Sequence, residues 1–215
     1  MTEKKLIAFD YDGVLVDSST INLIAWNHTF QEFGLDMQIT HEHLKHAENM
    51  TFQTLCTMAG IPQDKIERFR NKVVEYLIAN KLEPPFFPKI VELIPKLFNK
   101  YQLAVVTGNN NDNVKRVLKN AGIEQYFSFF LGGESETKAQ KLNTLAEQQN
   151  LEKSSIYMIG DAISDIRQAK IAGVHSIAVS WGYQSPEKLN REHPDKLATT
   201  PDDFLKIFHI QDCCE

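Results

Sequence analysis

The sequence predicts an α/β protein: a Rossmann-like parallel sheet covered by helices, with a small all-helical cap inserted after the first strand. Three observations predict it. Short runs nearly continuous in apolar residues alternate with amphipathic helical patterns, as in a parallel sheet buried on both faces. Several of those runs end in small, polar or acidic residues. Between the first two runs lie about ninety residues that read mostly as helix, where a βαβ crossover needs one helix.

The first strand is "KLIAFD" (5–10). Helical periodicity follows over 18–34, 41–59 and 63–80, and the proline-rich "LEPPFFPK" (82–89) ends the third segment. Residues 17–82 are therefore expected to form the cap domain, and 1–16 with 83–215 the core. The prolines and the Gly13 region are its two connections, placed as hinges for a lid over an active site. A helix at 88–99 leads into the second strand, "QLAVVT" (102–107). Further strands are "FSFFL" (127–131), "SIYMIG" (155–160) and "HSIAVS" (175–180), with helices at 112–121, 138–149 and 162–171. A last helix, 202–208, starts at "TPDDF", where proline and acids suit a first turn.

Length and composition fit this reading. The chain has 215 residues, 42% apolar and 24% charged, with a net charge of −5, as in a soluble globular protein. No Lys/Arg block suggests a nucleic-acid face. The apolar run at the start is too short for a signal peptide, and no later run approaches a membrane span. Cys56, Cys213 and Cys214 make no disulfide framework, so a reducing cytoplasm is expected and the sequons at Asn27 and Asn49 carry no meaning there. Nothing in the chain demands more than a monomer.

The chemistry collects at strand ends, where ligands bind in open α/β sheets. Strand one ends in Asp10, Tyr11 and Asp12; strand two in Thr107 and "GNNNDN"; strand four in "GDAISD" with Asp161 and Asp165. The last two acids are four apart and share one face of a helix's first turn. Alone, Asp161 reads as a helix N-cap, Asp17-Ser18 as a cap for 18–34, and Thr107 as a plain strand end. Together with Asp10 and Asp12 they make a four-carboxylate pocket. Adjacent carboxylates repel, so a cation is required, and hard oxygen ligands with open positions suit Mg²⁺.

At these residues the chain resembles the haloacid dehalogenase-like hydrolase superfamily, in its phosphoglycolate phosphatase-like branch. The matching stretches are "DYDGVLVDS" (10–18), "VVTGN" (105–109), a lysine within "ETKAQKL" (136–142) and "GDAISD" (160–165), and the last extends through "IRQAKIAGVHSIAVSWGY". The resemblance implies hydrolysis of a small phosphate monoester. Asp10 would be the nucleophile and Asp12 the general acid–base. Asp10, the Asp12 carbonyl and Asp161 would hold Mg²⁺, with Asp165 orienting that shell. Thr107, Gly108 and Asn109 would bind phosphate oxygens, helped by the helix start that follows. For the lysine, "TKAQ" reads as a capping box, which puts Lys138 in the first turn and Lys141 nearly a turn away, so Lys138 is chosen to pair with Asp10.

Two stretches depart from the family pattern. Three asparagines follow Gly108, and "HEHLKHAENM" (41–50) lacks the arginine–glycine pattern expected of a sugar-phosphate mutase or a strict phosphoglycolate enzyme. Its histidines have no acid or cysteine at zinc-ligand spacing, so they are read as cap surface, with Lys45 or His46 the alternative substrate contacts. A phosphomutase using the same residues is the competing enzyme. A dehalogenase needs no acid at Asp12. A phospho-acceptor module would be shorter, without the insertion and with its acids before the threonine. No G-x-G-x-x-G follows strand one, against a dinucleotide binder. A non-catalytic binding protein would not need the full set of charged groups.

Overall fold

The computed structural model describes residues 5–46 and 52–210. Among them, one parallel sheet contains β1 (Leu6–Phe9), β2 (Gln102–Val106), β3 (Phe127–Leu131), β4 (Ile156–Gly160), β5 (His175–Val179) and β6 (Lys196–Ala198), in the order β3-β2-β1-β4-β5-β6. This is the Rossmann-like α/β class expected. β1 is central: Leu6–Phe9 lies in register with Gln102–Val105 on one side and Ile156–Ile159 on the other. The chain winds outward from β1 to β3, then returns to β4 on the other side of β1. The switch in winding therefore falls at the carboxyl end of β1, where such sheets bind ligands.

The apolar run of β1 follows from burial on both faces. Ile7 and Phe9 join one cluster with Ile90, Leu97, Val117 and Phe204, while Leu6 and Ala8 join another with Leu142, Leu145 and Ala169. Each such side chain contributes roughly 1.5–3 kcal/mol on leaving water. β3 departs from this pattern: only Phe127 of its residues is fully buried. It is an edge strand, paired on one side with β2. The Lys115 ammonium covers the Phe130 ring at 5.0 Å.

Two compact units make up the chain, Met1–Val16 with Phe86–Glu215, and Asp17–Pro85. The second contains α1 (Ser19–Glu32), α2 (His41–His46), α3 (Phe52–Met58) and α4 (Ile66–Ala79) around its own core of Leu23, Trp26, Phe30, Leu55, Phe69 and Val73. The Phe30 and Phe69 rings stack with centroids 5.2 Å apart. The middle of the expected 41–59 helix, 47–51, lies outside the described residues, as do the side chains of Lys45 and His46. His43 Nδ1 is 2.8 Å from the Thr40 hydroxyl, a local contact at the start of α2. At the start of α1 the cap is supplied one residue early. Asp17 Oδ1 accepts from the Ser19 hydroxyl at 2.6 Å and from its N–H at 3.2 Å, while Ser18 makes no side-chain cap bond.

The remaining helices are α5 (Ile90–Phe98), α6 (Asn111–Asn120), α7 (Lys138–Gln149), α8 (Ile163–Ala172), α9 (Pro186–Arg191) and α10 (Asp203–Ile207). α9 and β6 were not anticipated. α9 carries a legible signal, Ser185 as N-cap followed by Pro186, whereas three residues of β6 are too few to show a period. No helix among the described residues is long and apolar enough to cross a membrane.

Candidate active site

Asp10 follows the last residue of β1, and its N–H still bonds to Ile159 of β4 at 2.9 Å, so strand pairing holds its backbone. Its Oδ1 accepts the Tyr11 N–H at 2.7 Å, and its Oδ2 accepts from Lys138 Nζ at 2.6 Å. The same ammonium reaches Asp165 Oδ1 at 2.5 Å. Lys138 is placed by its helix start. Thr137 accepts the Gln140 N–H and Gln140 accepts the Thr137 N–H, a closed capping box that puts Lys138 in the first turn of α7. Asp165 is placed likewise: its Oδ2 accepts the Ala162 N–H at 3.1 Å across the first turn of α8.

Asp161 is not the N-cap of α8, a position that Ala162 occupies. Its carboxylate instead accepts the Tyr183 N–H at 2.7 Å, from the loop after β5. Asp10, Asp161 and Asp165 are all buried, and each offers one oxygen within 4.8 Å of the others. Asp12 is not part of that group. The turn after β1, closed by Gly13 N–H on Val16 and Leu15 N–H on Tyr11, carries its carboxylate to Asn109, whose Nδ2 donates to it at 3.1 Å. The expected four-carboxylate pocket is thus three clustered carboxylates and a fourth held apart.

The electrostatics are one-sided. Lys138 bonds directly to two of these carboxylates, Asp10 and Asp165. Burial pushes the Asp10 carboxyl up to about 6, opposed by Lys138 and reinforced by Asp165 and Asp12. Burial, Asp165 and Asp10 hold Asp161 well above the usual carboxylate range. Burial would depress the Lys138 ammonium, yet Asp10 and Asp165 together keep it above the ordinary lysine value. Three buried oxygens converging around excess negative charge fit a hard divalent cation such as Mg²⁺.

On the other side of β1, the end of β2 supplies a second group. Thr107 is buried; its hydroxyl accepts the Asn109 N–H at 3.1 Å and its N–H bonds to Leu131. Asn109 Oδ1 accepts the Asn110 N–H at 2.8 Å, which orients the amide so that Nδ2 faces Asp12. Lys141 points elsewhere than Lys138: its Nζ donates to the Thr107 carbonyl at 2.7 Å and to the Gly133 carbonyl. Burial, with the Lys138 charge, lowers its pKa.

Sequence reasoning missed the glycines that make room for the acids. A Cβ at Gly182 would fall 2.4 Å from the Asp161 side chain and 2.4 Å from the Gly13 carbonyl oxygen. One at Gly13, where φ is +78°, would fall 2.2 Å from Asp161 Oδ2, and one at Gly160 would meet Asp165 at 2.2 Å. The signal for Gly182 was "SWGY" at the end of β5, but its neighbour is not local. Gly182→Ala is expected to cost about 1–3 kcal/mol by overpacking and to displace Asp161. The midpoint of thermal unfolding would fall; an unchanged value would mean the loop accommodates the methyl freely.

A family model described as haloacid dehalogenase-like hydrolase matches residues 7–179. The chain belongs to that family. Among its relatives, the phosphoglycolate phosphatase of Vibrio parahaemolyticus is 28% identical and that of Synechococcus elongatus 27%. The first match covers 96% of both chains, the second 93% of this chain and 95% of the relative. A haloacid dehalogenase-like hydrolase from Streptococcus pneumoniae superposes with a TM-score of 0.84 at 26% identity, covering 97% of this chain and all of that one. A predicted phosphoglycolate phosphatase from Haemophilus somnus superposes with a TM-score of 0.82, also at 26% identity, over 97% and 99%. The expected branch is therefore the one its relatives carry, and they support phosphatase activity for this haloacid dehalogenase-like hydrolase.

Proposed function

We propose that this family member hydrolyses a small phosphate monoester through an aspartyl-phosphate on Asp10, with Mg²⁺ as cofactor. The observation that carries the reading is the Lys138 ammonium bonded to both Asp10 and Asp165, with Asp161 in the same buried cluster. Lys138 keeps an attacking carboxylate oriented and neutralises charge beside an incoming phosphoryl group. An Asp10 oxygen forms a bond to phosphorus as the bond to the ester oxygen breaks. Asp12 protonates that oxygen, then takes a proton from water as the water displaces Asp10 and releases phosphate. Asn109, bonded to Asp12, supports its placement between these two tasks. Asp10, the Asp12 carbonyl and Asp161 would hold Mg²⁺, which supplies charge neutralisation between anions when bound. Asp165 positions Lys138, and Thr107, Gly108 and Asn109 serve the phosphate oxygens.

Cysteine usage and the mild net charge fit a cytoplasmic protein acting on a small phosphorylated metabolite rather than on nucleic acid, and nothing in the chain demands more than a monomer. Phosphoglycolate, named in its relatives, is the first natural ester to try. The test is phosphate release from an aryl phosphate with Mg²⁺ and with chelator. Chelation is expected to reduce release by about 100-fold or more, restored by added Mg²⁺. Equal rates would remove the metal from the mechanism. Transfer to a second sugar hydroxyl, with no net phosphate release, would favour the mutase instead.

A further inference from the structure

Lys141 is buried, and the mechanism above gives it no task. It lies one turn beyond Lys138 on α7, and its side chain runs to the two loops that flank β2 and β3. One hydrogen bond goes to the Thr107 carbonyl at 2.7 Å, the other to the Gly133 carbonyl. Gly133 closes the circuit, because its N–H donates to the Asn109 carbonyl at 2.8 Å. The contact is tight at the neighbouring residue too: a Cβ at Gly132 would fall 2.5 Å from the Asn109 carbonyl oxygen. Residues 107–109 are thus lashed to 132–133 by one amine and one amide.

This lashing controls where an N–H points. In a trans peptide the carbonyl and the following N–H face opposite sides. Lys141 grips the Thr107 carbonyl, so the Gly108 N–H of the same peptide is turned away from α7. That N–H has no protein partner among the described residues. The Asn109 N–H is committed to the Thr107 hydroxyl. Glycine at 108 has no side chain to resist rotation of this peptide, so the hydrogen bond from Lys141 is what opposes it. A backbone donor held fixed at a strand end beside a helix start is suited to an oxyanion. An amine can donate to both carbonyls whether or not it is protonated, so the clamp does not require a buried charge.

We infer that Lys141 is a positioning residue for phosphate recognition, holding the Thr107–Gly108 peptide so that the Gly108 N–H is presented to a phosphate oxygen. The inference rests on the phosphatase reading for its ligand but makes its own claim about binding. Lys141→Met keeps the apolar stem and removes both bonds. Inorganic phosphate would be titrated into wild type and K141M with Mg²⁺ present, by calorimetry and by the rise in Tm that phosphate induces, which reads affinity even in a less stable protein. Aryl phosphate turnover would be measured alongside. The expected result is a loss of phosphate affinity and a rise in KM by the same factor, roughly 10-fold, with kcat changing less. A K141M protein with lower Tm but wild-type phosphate affinity and KM would overturn the inference, since Lys141 would then only support the fold. So would a wild type that binds no phosphate. Should K141M not fold, Lys141→Gln retains a donor and carries the same measurement with a smaller expected change. Phosphate binding weakened by K141M in a protein that turns over no ester would sink the hydrolase reading and leave this one standing. Turnover with unaltered binding would do the reverse.

Discussion

Asp10→Asn is expected to lower phosphate release from an aryl phosphate by roughly 10³-fold or more while leaving the protein folded. The amide has the shape of the carboxylate, and its one oxygen keeps one of the two bonds that hold Asp10 in place, from the Tyr11 N–H or from Lys138, while Lys138 stays anchored to Asp165. It lacks the anionic oxygen that would attack phosphorus. Substrate binding should survive, because the groups around Thr107 are untouched, so the loss should fall on kcat. Steady-state kinetics on the purified variant, with the unfolding transition recorded in parallel, measures both. Release at the wild-type rate would falsify the nucleophile assignment and the two-step mechanism with it.

Asp161→Asn is expected to separate activity from stability. Activity should fall by about 100-fold or more, since Asp161 is a proposed metal ligand. In chelator, stability should rise. One ammonium bonds two of the three buried carboxylates, Asp10 and Asp165, and burial with the Asp165 and Asp10 charges makes the ionised Asp161 costly. The amide keeps the acceptor for Tyr183 N–H and gives its own N–H groups to neighbouring carboxylate oxygens. A gain of about 1–2 kcal/mol, some 2–8 °C in Tm, is expected for a chain of this length. A Tm in chelator below that of wild type would mean that Asp161 contributes more by packing than it costs by repulsion.

The pH dependence follows from the same charges. Asp10 has its carboxyl raised from 3.8 to about 6 in the folded protein, so folding takes up a proton between those values. Its contribution to the stability of the chelated protein therefore grows as pH falls from about 6 toward 3.8. This is the reverse of the usual carboxylate, whose stabilising interactions are lost on acidification. Bound Mg²⁺ would oppose the trend by favouring the ionised forms. Asp161→Asn should flatten the chelated profile, because the Asp161 carboxyl is itself held well above its ordinary value by burial and by Asp165 and Asp10, and its own proton uptake on folding is gone.

Much of this was legible residue by residue. The end of β1 could be read because its apolar run stops at an acid and nothing else in the chain explains paired aspartates beside a turn. The start of α7 could be read from "TKAQ", since a capping box is made by residues three apart. Periodicity marked β2, β4 and β5, each buried by neighbours on both sides. The same reasoning misjudged β3, because "FSFFL" looks like an interior strand and only its place in the sheet order makes it an edge.

Local sequence thus set the strands, the helix starts and the candidate acids, because those depend on side chains within one turn or one strand. Contacts between distant segments were decided by the tertiary structure alone. The destinations of Lys138 and Lys141 are one example: two lysines of the same helix start, three residues apart, donate to carboxylates in one case and to main-chain carbonyls in the other. The Asn109–Asp12 bond, the Tyr183 N–H on Asp161 and the space left by Gly182 are others. All but the Lys141–Gly133 bond join residues more than twenty positions apart. Their meeting depends on strand order and on the direction in which each chain leaves the sheet, and those follow from packing of the whole core rather than from any pattern within a segment.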